Sequence, residues 1–420
     1  MHASTSAPLK LPELLAPAGS LEKLHAAIHY GADAVYLGGK RFSLRAHSAN
    51  FDEEGLREAI ATAHARRVRV YVTVNIFAHN RDFTGLSDYL RLLADAGADG
   101  LIVTDPGILE TARRTVPDMP LHLSTQANVT NALSARFWSD QGVRRLNLAR
   151  ELGLEEIRAI RNTVQAELEV FVHGALCISY SGRCLLSHYL TGRNANQGDC
   201  AHPCRYRYTV MEEKRPGQYF PVEEDERGSY IFSSRDLCLL HRLPQLIEAG
   251  IDAIKIEGRM KSMGYVGAVV RLYRLALDWI GDQLRAGAPA DTLVLPEAFQ
   301  RELEQIGTRG LSENFFLAPP SSNDMLYDRM RFDQRAVPVG VVRSTAPLLI
   351  ETRHVLCLGD RIEYLGSTIE PETVRVVAMY AQDGAPIQRA NPGNLILLTT
   401  EPPLRQVALS ALLRKQLGTP

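Results

Sequence analysis

Along the first 260 residues, short apolar runs alternate with stretches whose apolar residues recur three and four positions apart. The runs are Glu13-Leu-Leu-Ala-Pro, Ala34-Val-Tyr-Leu-Gly, Val70-Tyr-Val-Thr-Val-Asn, Gly100-Leu-Ile-Val-Thr-Asp, Leu121-His-Leu-Ser-Thr-Gln, Arg145-Leu-Asn-Leu-Ala-Arg, Glu169-Val-Phe-Val-His-Gly and Ala253-Ile-Lys-Ile-Glu-Gly. Short, β-branched and apolar on both faces, they predict buried parallel strands. Segments such as Ser20 to Tyr30 and Glu54 to Arg66 carry the helical period between them. Eight such strands with helical crossovers predict an α/β fold of the (β/α)8 type, a TIM-like barrel. The competing doubly wound sheet lacks its glycine-rich dinucleotide fingerprint.

The repeat breaks once. Almost eighty residues, 175–252, separate the seventh run from the eighth, and they hold five of the six cysteines. In a barrel this insertion follows the C-terminal end of a strand, the face where βα loops build active sites. The implied organisation is an N-terminal extension (1–12), a barrel (13–285) carrying the cysteine-rich insertion, a linker and helical segment (286–335), and a final module (336–410). That last region changes to short alternating strands, such as Val337-Pro-Val-Gly-Val-Val and Val374-Arg-Val-Val-Ala-Met, and predicts a small β-barrel.

Composition narrows the function classes. Hydrophobic residues make up 45% of the 420, which excludes a largely disordered chain. Lys and Arg (47) balance Asp and Glu (48), so no global positive field draws the protein to nucleic acid, although a local basic patch is open to it. No run approaches the ~20 apolar residues of a membrane span, and the N-terminus lacks a signal-peptide core. The expectation is a soluble, cytoplasmic protein with no membrane partner.

Four cysteines fall between Cys177 and Cys204, and Cys238 follows. In a reducing compartment this clustering points to metal or redox chemistry. Zinc sites use two close ligand pairs, and only Cys200 and Cys204 come near that spacing. Four spread thiolates suit an iron–sulfur cluster, which accepts varied spacing; buried cysteines without a ligand are the remaining reading. Cys357 lies in an apolar strand and reads as core.

At the predicted mouth, strand-end polar residues are the binding candidates: Asn75, Asp105, Gln126, Asn128, Arg150, His173, Glu257 and Arg259. Lys255, Glu257 and Arg259 alternate along an extended segment, which predicts a shared side. That group reads equally as catalytic or as an ion network closing the barrel. His173 is a proton-transfer candidate or a hydrogen-bonded structural histidine. Arg183, Arg193, Arg205, Arg207, Lys214 and Arg215, interleaved with His188, Tyr206 and Tyr208, offer phosphate contacts and stacking for a single-stranded RNA. Glu212, Glu213 and the acidic run from Glu223 to Glu226 dilute that patch, so a solvated mixed face is the bland alternative.

Several motifs in order resemble one family. Glu13 to Gly19, Asp33-Ala-Val-Tyr-Leu-Gly38, Glu169 to Cys177, Ser181-Gly-Arg-Cys184-Leu-Leu-Ser187, Asn196-Gln-Gly-Asp-Cys200-Ala-His-Pro-Cys204-Arg, Asp236-Leu-Cys238 and Ile256-Glu-Gly-Arg-Met-Lys261 are similar to the signature of the collagenase-like peptidase family of unassigned catalytic type. The resemblance spans roughly 13–270 and extends to the C-terminal module. It implies oxygen-independent hydroxylation with a [4Fe–4S] cluster, and the chain most resembles the branch that makes 5-hydroxyuridine at the tRNA wobble position. Other branches act on 23S rRNA and on ubiquinone precursors. Carried over by motif, the cluster ligands are Cys177, Cys184, Cys200 and Cys238, with Cys204 as an alternative. The implied partners are the tRNA anticodon loop, prephenate as hydroxyl donor and an electron-transfer or accessory protein. A dicarboxylate donor favours paired arginines, here Arg150 and Arg259. The peptidase alternative needs an activated nucleophile; His-Glu-x-x-His, Gly-x-Ser-x-Gly and Asp-Thr-Gly motifs are absent, leaving a Cys177–His173 pair.

Overall fold

The computed structural model describes residues 10–44, 50–176, 179–180, 183–205, 210–211, 219–220, 224–225, 228–229, 233–308, 310–318, 325–326 and 334–417. The alternating pattern folds as expected. Strands β1 (Glu13–Pro17), β2 (Ala34–Gly38), β3 (Arg69–Val74), β4 (Gly100–Val103), β5 (Leu121–Leu123), β6 (Arg145–Asn147) and β7 (Glu167–Gly174) pair in parallel sequence. Strand β9 (Ala253–Ile256) pairs with β7 on one side and with β1 on the other, Glu13 lying opposite Ala253, and this closes the eight-stranded barrel.

Alternation divides each strand between two cores. Leu14, Ala16, Val35, Leu37, Val70, Val72, Leu101 and Val103 pack outward under the helices, while Leu15, Ala34, Tyr36, Tyr71 and Ile102 form a separate cluster inside the barrel. Side-chain caps start the helices where the sequence places them. Ser20 accepts from the Lys23 amide ahead of α1 (Leu21–His29), Asp52 from Gly55 ahead of α2 (Glu53–His64), and Asp105 from Gly107 and Ile108 ahead of α4 (Pro106–Thr115). Asp105 Oδ1 is thereby committed to a helix start at the C-terminal end of β4. Helices α3 (Leu86–Asp95), α5 (Ala132–Asp140) and α6 (Leu154–Arg161) complete the regular crossovers.

The insertion begins with α7 (Leu186–Thr191) and returns through β8 (Asp236–Cys238) and α8 (Leu243–Glu248). Strand β7 has eight residues where β6 has three, so its C-terminal half extends past β6. Strand β8 fills that edge in antiparallel sense, with Cys238 opposite His173 and the Leu239 amide bonded to the Val172 carbonyl at 2.8 Å. The short strand β10 (Leu311–Ser312) pairs onto β8.

The C-terminal module is a closed antiparallel barrel of six strands, β11 (Ala336–Thr345), β12 (Leu348–Thr352), β13 (Arg361–Tyr364), β14 (Glu372–Ala381), β15 (Leu395–Glu401) and β16 (Leu412–Gln416). Its closing strand runs past residue 410, where the alternating texture fades. The long helix α9 (Met263–Arg285) and α10 (Glu297–Gln305) hold it to the larger barrel. Buried Glu302 receives both Arg271 (2.9 Å) and Arg414 (2.5 Å), and Tyr30 of α1 accepts the Leu412 amide at 2.8 Å.

Candidate active site at the barrel mouth

The barrel interior is layered. At its N-terminal end Arg145 donates to Glu13 (2.7 Å) and Glu167 (2.8 Å) and lies 3.5 Å from Glu169, which takes Lys255 at 2.8 Å on its other oxygen. Arg69 caps Glu13 from the rim. Glu13, Arg145, Glu169 and Lys255 are each less than a tenth exposed. Burial alone would lower the Arg145 pKa, but Glu169 and Glu13 outweigh it and hold the guanidinium more firmly charged than usual. Nearby, burial drives His122 well below its ordinary value, with Arg145 and Lys255 adding to the shift.

This arrangement corrects the expected Lys–Glu–Arg group. Lys255 is spent on Glu169, within reach of the Tyr36 and Phe171 rings at 4.5 and 5.4 Å. Glu257 sits higher, with the Tyr36 hydroxyl 3.3 Å from its Oε2. Arg259 turns into the mouth beyond both. Alternation is real, but two residues of extended chain rise ~6.6 Å, so the three side chains fall in successive layers and not in one cluster.

Arg259, 4% exposed, donates to Ser43 (3.1 Å), Thr73 (3.2 Å) and Asn50 (2.6 Å), while its own carbonyl receives Lys23 at 2.8 Å. Gly38 makes room for it: a Cβ there would lie 2.6 Å from the guanidinium, 2.8 Å from Thr73 Oγ1 and closer still to Ser43 Oγ. Across the mouth, the Leu44 amide donates to Asn75 Oδ1 (3.2 Å), which fixes the Asn75 amide so that Nδ2 faces Gln126. Gln126 Oε1 therefore accepts, from Asn75 (3.3 Å), Ser124 (3.4 Å) and Thr104 (3.5 Å). Its Nε2 has no partner among the described residues and is the donor this rim offers to a ligand. Asn147 Oδ1, one step down from the mouth on β6, is buried without a donor among the described residues.

The insertion lies on this rim. Arg183 donates to the Gln126 carbonyl at 2.8 Å and sits 5.2 Å from the Phe77 ring, while the Phe77 amide bonds the Asn196 carbonyl at 3.2 Å. Asn196 Oδ1 accepts the Cys184 amide at 3.3 Å, and buried Ser187 accepts from Ala201 at 2.9 Å. Cys200 Sγ receives the His202 amide at 3.3 Å, a contact that suits a thiolate. Arg150 reaches the Ala175 carbonyl (3.3 Å) and rests over Phe171.

Cys238 and His173 sit deeper, against α9. Cys238 Sγ is 3.9 Å from the Tyr273 hydroxyl, which donates to the Val172 carbonyl and lies 3.3 Å from His173 Nδ1. Burial pushes the Cys238 thiol up to about 11 and pulls His173 down to about 4, the latter partly offset by Asp236. His173 Nε2 is buried without a partner among the described residues. With its pKa pulled down to about 4, His173 is a weak base for the Cys177–His173 pair of the peptidase alternative.

Cys177 lies outside the described residues, as do Arg207, Lys214, Arg215, Tyr206, Tyr208 and the side chain of Arg205. Among the described residues no three His, Cys, Asp or Glu side chains converge as a metal cage. In kind and place, however, the donors fit a thiolate-bound group: Cys184, Cys200 and Cys204 belong to the segment lying on the rim, and Cys238 enters on the strand paired to its edge. Of the RNA candidates, Arg193 is paired with Asp199 at 2.6 Å and His188 Nδ1 lies 3.2 Å from the Gly192 carbonyl. The sequence reading missed Ser43, Asn50 and Thr73 around Arg259 and the network of Glu13, Arg145 and Glu169.

Fold and site define a TIM-like barrel with a cysteine-bearing insertion on the rim of its C-terminal mouth, joined to a six-stranded β-barrel. The chain belongs to peptidase family U32: the family's main model matches residues 19–326 and its C-terminal domain model residues 334–414. It is 38% identical to tRNA hydroxylation protein P1 of Bacillus subtilis over 385 residues, 91% of this chain and 90% of the relative. It is 40% identical to tRNA hydroxylation protein P of Escherichia coli over 72% of this chain and 74% of that one. The 23S rRNA 5-hydroxycytidine C2501 synthase of Escherichia coli is 36% identical over 84% of this chain but only 52% of its own length. No described helix is long and apolar enough to cross a membrane.

Proposed function

We propose that this protein hydroxylates RNA, and specifically converts the wobble uridine of tRNA to 5-hydroxyuridine without molecular oxygen. The observation that carries the reading is the placement of the Cys184–Cys204 segment across a barrel mouth built from neutral hydrogen-bonding groups and one buried arginine. Relatives named for tRNA and rRNA hydroxylation support it. The near end-to-end match to protein P1 favours tRNA over rRNA, because the rRNA relative has almost half its length outside the match.

In this reading Cys177, Cys184, Cys200 and Cys238 hold a [4Fe–4S] cluster, with Cys204 beside them. Such a cluster would supply electron transfer or, if only three of these thiolates bound it, an open iron site for a small ligand. The chain's own residues do the rest. Arg259, its guanidinium fixed by Ser43, Thr73 and Asn50, binds a carboxylate of the hydroxyl donor, for which prephenate is the candidate. Arg150 is the second carboxylate partner. Gln126 Nε2 and the Asn75 amide present hydrogen-bonding groups to a uracil edge, and an anticodon-loop base is already nearly unstacked.

Two measurements test this. Iron and acid-labile sulfide are determined on anaerobically purified protein, and tRNA nucleosides are compared by mass spectrometry in cells with and without it. Stoichiometric iron and sulfide, with 5-hydroxyuridine derivatives lost on deletion, are expected. Unchanged tRNA nucleosides with altered 23S rRNA would move the substrate to the ribosome. A protein that stays colourless after reconstitution would remove the cluster.

A further inference from the structure

A second cavity lies between the two modules, on the far side of the loop that carries Arg259. Its volume is about 320 Å³; Ile306, Pro338, Leu365 and Leu412 wall it, and Lys261, Gln305 and Arg414 are among its polar groups. Gln305 donates through Nε2 to the Arg301 carbonyl at 3.3 Å, so Oε1 is the free end; it is buried without a donor among the described residues. An orphaned buried acceptor is unfavourable, and a ligand carrying an N–H group would satisfy it. Lys261, 3.8 Å from Asp236 and over the Tyr265 ring, adds positive charge at the same wall and links the cavity to the strand that bears Cys238.

We propose that this cavity is a subsite for the nucleotide next to the one modified, its phosphate on Lys261 and a base N–H on Gln305 Oε1, between the flat apolar walls. The inference rests on the RNA reading above and adds the second contact point. Its volume is at the low end for ligand pockets (~300 Å³ and upward), which suits one nucleotide and not a peptide strand. Arg259 and Lys261 are two residues apart, at most ~7 Å of chain. A strand with one base at the mouth therefore reaches the cavity with its neighbour. The C-terminal module contributes Pro338, Leu365 and Leu412, so recognition of flanking sequence requires both modules.

The test uses the full-length protein and a fluorescein-labelled anticodon stem-loop, with an unrelated hairpin as control. Lys261→Gln and Gln305→Leu are compared with wild type by anisotropy, and a photocrosslinking benzoylphenylalanine is placed at Met260, which is exposed and on the cavity rim. Losing the Gln305 contact weakens binding by about fivefold, the worth of one hydrogen bond. Lys261→Gln weakens it as much or more and lowers the salt dependence, and crosslinks fall on a nucleotide adjoining the target. Wild-type binding with both variants unchanged and no crosslink at a neighbouring nucleotide would overturn the subsite while leaving the RNA reading standing. A wild-type protein that does not distinguish the stem-loop from the control hairpin would overturn both.

Discussion

Gly38→Ala is the sharpest probe of the mouth, because one methyl group meets three side chains at once. Ordinary contact begins near 3.4 Å, and the added Cβ would stand 2.6 Å from the Arg259 guanidinium and 2.8 Å from Thr73 Oγ1. The guanidinium must retreat by about 0.8 Å, and Ser43 and Thr73, which hold it at 3.1 and 3.2 Å, are displaced with it. Overpacking of this kind costs ~1–3 kcal/mol. Misplacing a positioning group by about 1 Å costs up to ~10²-fold in rate. The expectation is a lower unfolding midpoint together with a ten- to hundredfold loss in kcat/KM for the hydroxyl donor, at unchanged iron content. A double-mutant cycle with Arg259→Ala sharpens the result, since removing the guanidinium removes one of the clashes and the two losses become less than additive. Full activity and an unchanged midpoint in Gly38→Ala would refute the claim that this glycine exists to admit Arg259.

Three other outcomes follow from the geometry. Arg145→Leu strips Glu13 and Glu169 of a buried partner and should cost ~3–5 kcal/mol in urea unfolding; a loss under ~1 kcal/mol would show that Arg69 and Lys255 neutralise those carboxylates alone. His173 is held neutral with a pKa near 4, below its unfolded value of about 6.5. Its contribution is present at neutral pH and lost as pH falls from 6.5 towards 4, up to ~3 kcal/mol. His173→Gln in cluster-free protein should flatten that acid limb, and an unaltered slope of stability against pH would count against it. Serine at Cys184, Cys200 or Cys238 should each lower bound iron and sulfide, whereas Cys357→Ser, in the separate C-terminal barrel, should leave both unchanged; equal retention in all four would deny the cysteines a ligand role.

Hydrophobic period alone made the barrel legible, because a buried parallel strand must be apolar on both faces and a crossover helix on one. The alternating strands of the C-terminal barrel were legible for the same reason. Pairings distant in sequence were not. Glu13, Arg145 and Glu169 are buried charges near the starts of their strands, and charge in such positions is itself a signal that a partner lies across the barrel. Nothing local says which partner, so Lys255 read as a neighbour of Glu257 when the closed barrel gives it to Glu169. Asp105 gained a role for a simpler reason: a strand-end aspartate ahead of Pro106 also serves as a helix cap. Glycine at position 38 carries no message until Arg259, more than two hundred residues later, is folded beside it.

The layering also explains how one barrel can carry both stability and an adaptable site. At the N-terminal end Arg145 and Lys255 are matched by Glu13 and Glu169 in a buried network. The mouth adds hydroxyls and amides, whose hydrogen bonds can be exchanged for those of a ligand at a smaller cost, around the Arg259 guanidinium, which Ser43, Thr73 and Asn50 anchor. The β8 strand then links this rim to the rest of the molecule. Cys238 pairs with the end of β7, Asp236 two residues earlier meets Lys261, and Lys261 opens onto the cavity shared with the C-terminal module.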